Sequence, residues 1–124
     1  MMAVAPSCLA LLIHDDDEFR KRLIRTLDEK HFSVSYTVEG DIARKLLSER
    51  EYHVVIVGVD LKAKKGVTFL DHLRDHRDNM RCGVIVIGEP DPALRTFAPW
   101  VDETLMKPVD PDYVAQRAQT YCQC

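Results

Sequence analysis

Between His53 and Gly66 the chain reads HVVIVGVDLKAKKG: a β-branched run, Val54, Val55, Ile56 and Val57, then Gly58 and Val59, then a polar loop that ends at Gly66. An unbroken apolar run bounded by polar and turn-forming residues suits the central strand of a parallel sheet covered by helices on both faces. In open α/β sheets the chemistry sits just past the carboxyl ends of such strands. Gly58, Val59 and Asp60 hold that place here. Glycine supplies neither a nucleophile nor a metal ligand, so the most privileged position of such a fold is chemically blank.

The segments on either side alternate in the same way. Leu9 to His14 forms a short apolar strand that runs into Asp15-Asp16-Asp17. Three adjacent carboxylates at a strand end repel one another and call for a nearby cation. Asp17 is placed to cap a helix over about 17–30, with Phe19, Leu23, Ile24 and Leu27 on one face and Arg20, Lys21, Arg22 and Arg25 away from it. That basic face is either solvated or a partner surface. Phe32 to Val38 reads as a second strand, and Glu39-Gly40-Asp41 turns into a helix carrying Ile42, Ala43, Leu46 and Leu47. Val67, Phe69, Leu70 and Leu73 mark a third helix ending near Arg77. Gly83 to Ile87 is a fourth strand, leading to Gly88-Glu89-Pro90-Asp91-Pro92; only Pro92 to Ala98 remains for a helix before Pro99, with Trp100 to plug the gap. Glu103 to Met106 is a fifth strand, followed by Lys107-Pro108, and Asp110-Pro111 opens a last helix with Tyr113, Val114, Ala118 and Tyr121 facing inward.

Five strands alternating with helices predict a doubly wound α/β sandwich around a parallel sheet of order 2-1-3-4-5. The expected domain spans residues 8–122, with a leader at 1–7 and a tail at 123–124. Asp15, Asp16, Gly58, Asp60, Gly88 and Lys107 then meet on one edge. A length of 124 residues fits one domain, and a net charge of -3 gives no reason to expect a nucleic-acid interface. The apolar run Cys8 to Ile13 is too short to span a membrane, so a cytoplasmic location is the default expectation. Cys8 opens the first strand and Cys82 sits just before the fourth, too far apart to bridge if one strand lies between them, and Cys122 and Cys124 lack the second pair a zinc site needs; the four cysteines read as free thiols.

An acidic pair after the first strand, a special residue after the third, a small residue after the fourth and Lys-Pro after the fifth: across residues 8–122 the chain resembles the receiver domain of two-component response regulators. The resemblance implies a CheY-like fold in which an aspartate after the third strand accepts a phosphoryl group from a histidine kinase. It also implies a Mg²⁺ ion held by the acidic pair, a lysine on the phosphoryl oxygens, and a Ser or Thr that reports the event. Residue by residue, the acidic pair falls on Asp15 and Asp16, the lysine on Lys107, the acceptor on Gly58, the hydroxyl switch on Gly88 and the aromatic switch on Thr104. The acceptor and the hydroxyl are therefore missing. The VDL after Gly58 and the GEPD after Ile87 resemble a subgroup of bacterial motility regulators that lack the acceptor.

The expectation is a degenerate receiver, not an enzyme, that works by contact with a protein partner through its basic first helix or the segment Glu89 to Trp100. The alternative is a working receiver that uses Asp60 with Mg²⁺, although a loop carboxylate several ångströms out of place would be slow. No cofactor is expected; Mg²⁺ on Asp15 and Asp16 would be weak, and an ion pair from Lys107 to one of them is preferred. His14 stands where the family usually has an aliphatic residue and is expected to be hydrogen-bonded and partly buried. His72 and His76, one helical turn apart, read as surface residues. Flavodoxin-like cofactor binding is disfavoured, because acids follow the first strand where a phosphate loop needs small residues.

Overall fold

A computed structural model describes residues 8–61 and 63–122; the expected leader and tail lie outside the described residues. The elements run β1 (Cys8–Ile13), α1 (Asp17–Glu29), β2 (Phe32–Thr37), α2 (Gly40–Glu49), β3 (Val54–Val59), α3 (Val67–His76), β4 (Gly83–Gly88), β5 (Glu103–Met106) and α4 (Pro111–Gln119). The sheet is parallel throughout, in the order β2-β1-β3-β4-β5. This is the doubly wound sandwich expected from the strand pattern.

Alternation along each strand divides the core into two. Leu11, Val55, Val57, Val84 and Val86 point to the face covered by α3 through Phe69, Leu70 and Leu73, and Ala43 of α2 joins them. Ala10, Leu12, Val54, Ile56, Ile85 and Ile87 point the other way, to Leu23 and Leu27 of α1 and Val114, Ala115 and Ala118 of α4. Because β3 and β4 are covered on both sides, their residues read as continuous runs with no polar alternation.

Between β4 and β5 the two prolines leave a single 3-10 helix, Pro92–Phe97, capped by the Asp91 carboxylate on the Ala93 amide. Trp100 fills the space beside it. Its ring packs edge-on against Phe97 at 5.7 Å, the Arg74 guanidinium lies over it at 5.6 Å, and Arg77 donates to its carbonyl at 2.9 Å. Among the described residues no helix is long and apolar enough to cross a membrane.

One expectation is overturned here. Cys8 and Cys122 form a disulfide, with Cα atoms 5.6 Å apart, while Cys82 is free and buried. Strand spacing alone separates cysteines on strands and says nothing of a cysteine that follows a helix. α4 runs antiparallel to the sheet, so its end returns to the level at which β1 begins.

Candidate functional site

The carboxyl ends of β1, β3 and β4 form the edge where the sequence places the site. β1 and β3 are paired in register, Ile13 with Val57, so His14 and Gly58 follow side by side. The imidazole of His14 is 2% exposed and lies against Gly58. A Cβ at position 58 would meet its Cδ2 at 2.5 Å, its Cγ at 2.7 Å and its Nε2 at 2.9 Å. The ring thus takes the space that a side chain on residue 58 would need. It is pinned there by the Phe19 ring at 5.0 Å and by the Asp16 amide, which donates to Nδ1 at 3.1 Å. Accepting at Nδ1 puts the proton of the neutral ring on Nε2, which is buried without a hydrogen-bond partner. Burial, helped by the charge of Lys107, lowers the His14 pKa and keeps the ring neutral.

The acids around it are committed elsewhere. Asp15 is exposed and pairs with the Lys65 ammonium at 2.9 Å, and that hydrogen bond holds its carboxyl below the usual range. Asp16, in place of the expected Asp17, is the N-cap of α1, accepting from the Phe19 amide at 3.1 Å; Asp17 is the first helical residue and pairs with Arg20. Arg20 also donates to the His14 carbonyl at 3.1 Å. The preferred ion pair from Lys107 to Asp15 or Asp16 is not formed: the loop after β3 delivers Lys65 to Asp15 instead, and among the described residues Lys107 has no ion pair. The Lys107 amide donates to the Gly88 carbonyl at 2.8 Å.

Asp60 has left the strand. Its backbone closes a two-way bridge with Lys65, at 3.1 and 2.9 Å, and its exposed carboxylate accepts from the Ala63 amide at 3.1 Å. The loop so formed returns to β3 at Gly66, whose φ of 80° suits glycine and where a Cβ would stand 2.6 Å from the Gly58 carbonyl oxygen. Gly88 is buried, and a Cβ on it would touch the methyls of Leu94 at 3.1 and 3.4 Å. Thr104 sits half-buried on β5 opposite Val86. His72 and His76 lie away from this edge, with ring centroids 4.3 Å apart and the His76 Nδ1 turned to the His72 carbonyl.

A family model for the response regulator receiver domain matches residues 10–119. The chain belongs to the response regulator receiver family. As a receiver domain of two-component signalling it is similar to the transcriptional regulatory protein SrrA of Staphylococcus aureus, 24% identical over 109 residues that cover 88% of this chain. The match spans 45% of that regulator's length. Among solved structures it is similar to the Francisella response regulator 1452 receiver domain, at a TM-score of 0.79 and 19% identity over 94% of this chain and 97% of that one. It is likewise similar to the pseudo-receiver domain of the CikA protein, at a TM-score of 0.71 and 27% identity over 94% of this chain and 98% of that one.

The residues of this receiver do not fit the Mg²⁺ site that the resemblance implies. Asp15 is already neutralised by Lys65, Asp16 is spent on capping α1, and the imidazole of His14 lies where the third oxygen donor would be brought in. Among the described residues no group of three or more His, Cys, Asp or Glu side chains is arranged to hold a metal ion. Lys65 and His14 shape the site more than their sequence context suggests. A bulky ring and a glycine at matching positions of two adjacent parallel strands was the signal for the second of these.

Proposed function

We propose that this receiver is degenerate: it signals by protein contact and takes no phosphoryl group on aspartate. The observation that carries the reading is the packing of His14 against Gly58, because an acceptor carboxylate and that ring compete for the same space. The commitment of Asp15 to Lys65 and of the Asp60 carboxylate to its own loop support it, as does the likeness to a chain described as a pseudo-receiver. The segment Glu89 to Trp100 is the proposed face for a signalling partner, since the 3-10 helix gives it a shape a full helix would not.

Incubation with a small acyl-phosphate donor and Mg²⁺, followed by intact mass, tests this. The expected spectrum shows the unmodified chain. An adduct of about 80 Da that disappears in Asp60→Asn would overturn the reading and establish Asp60 as the acceptor.

A further inference from the structure

Going beyond that reading of the site, we propose that the outer edge of β2 pairs with the same edge of a second copy of this chain, joining two sheets across a two-fold axis. β2 is a terminal strand of the sheet, and its sequence, FSVSYT, carries no charge and no proline. It follows β1 residue for residue from Phe32 to Thr37, without a bulge. Among the described residues it makes no backbone–backbone hydrogen bond outside that ladder. Sheet edges are normally guarded by lysine, proline or a bulge, because free amides and carbonyls are a template for another strand. The opposite edge, β5, is guarded: it is four residues long, contains Glu103 and runs into Lys107-Pro108. On β2 the apolar exposure instead continues past the strand, with Tyr36 56% and Val38 55% exposed.

Self-complementarity selects the occupant. A two-fold axis makes the paired strands antiparallel and sets one residue against its own copy. With Val34 on the axis, Val34 meets its own copy and Phe32 meets Tyr36 of the second copy on the α1 face, and Ser33 meets its Ser35 on the other. Aromatic with aromatic and hydroxyl with hydroxyl are both favourable cross-strand pairs. Beside this edge runs a groove of about 610 Å³, walled by Lys21, Ile24, Arg25 and Asp28 of α1 and floored by Phe32 and Val34. Arg20 of α1 lies over the Tyr36 ring at 5.3 Å, which fixes the level of the helix along the strand. At rises of about 1.5 Å per helical residue and 3.3 Å per strand residue, the level of Val34 falls near Ile24 and Arg25. The same axis therefore sets Lys21 against Asp28 of the second copy, and Asp28 against its Lys21. Within the chain, among the described residues, neither side chain has an ion-pair partner, and the second copy supplies one for each.

Sedimentation equilibrium over a micromolar to millimolar range tests the proposal, with far-UV circular dichroism to confirm that each exposed-site variant is folded. The chain is expected to associate to twice its 14.2 kDa mass. Tyr36→Lys, Lys21→Glu and Asp28→Lys should each weaken association by about tenfold or more. Mixing Lys21→Glu with Asp28→Lys should restore it, because both contacts of the mixed pair are again oppositely charged. A chain that stays monomeric, a dimer indifferent to the three substitutions, or two variants that do not rescue each other would each overturn the proposal.

Discussion

His14 and Gly58 define each other, and this coupling is measurable at the scale of two residues. Introducing Gly58→Asp forces a carboxylate into the space of a buried ring, and overpacking of this kind costs about 1–3 kcal/mol. In a His14→Ala background the space is free, so the cost should fall by at least ~1 kcal/mol, well outside additivity. Urea unfolding of the four proteins of the cycle checks this, and additive costs would mean that the ring does not hold the space. The same histidine gives the fold a pH dependence. Its folded-state pKa lies below the unfolded value of 6.5, chiefly through burial, so below that pH the unfolded chain binds a proton that the folded chain resists. Stability from this group is complete above pH 6.5 and is lost as the pH falls through the folded pKa. His72 is shifted in the same direction, by burial and by His76, so the wild-type curve alone is ambiguous. The difference between wild type and His14→Leu isolates the contribution: the variant should lose less stability between pH 7 and pH 5, and parallel curves would remove His14 as the cause.

At the scale of elements, the fold was legible because runs such as Val54–Val57 and Val84–Ile87 can be satisfied only by strands covered on both sides, and prolines flanking the segment 92–98 leave no room for a full helix. The start of α1 was legible to within one residue. The difference matters chemically, because a cap must reach the amide three residues on, and Asp16 does so to Phe19. One of the two acids of the resemblance is thereby spent on helix formation. Asp16→Ala should cost about 1 kcal/mol, as a lost cap does. Asp17→Ala removes a pair with Arg20 from a side chain that is 71% exposed, worth about 0.3–0.5 kcal/mol. Thermal or urea unfolding of the two variants checks the order; equal costs would mean that the cap is not a net contributor. The partner of Asp15 was not legible, since the sequence places Lys62, Lys64 and Lys65 after the third strand and Lys107 after the fifth, and only the return of the loop at Gly66 selects Lys65.

For the whole molecule, the disulfide is the feature that strand spacing could not reveal, because it depends on where a helix ends. Cys8 and Cys122 are 114 residues apart, so the bridge closes a loop of nearly the entire chain. A cross-link of that span chiefly restricts the unfolded ensemble, and in the chain-entropy account a loop of about 100 residues is worth ~4.7 kcal/mol, with measured bridges nearer 2–4. Set against total stabilities of about 5–15 kcal/mol for single domains, that is a large share. The bridge also ties the first residue of β1 to the chain just past α4, which Arg117 and Tyr121 already fasten to Glu103 of β5, with the Arg117 Nε at 2.6 Å. Reduction should therefore lower the urea midpoint substantially while leaving the far-UV spectrum of the folded state intact. Cys8→Ala with Cys122→Ala should reproduce the reduced midpoint and no longer respond to reductant. Cys82→Ala, which touches a free buried thiol, should keep the full response. A wild-type midpoint that is the same with and without reductant would show that the link adds nothing to the stability of this receiver. Its sheet and helices would then hold the ends of the chain together unaided.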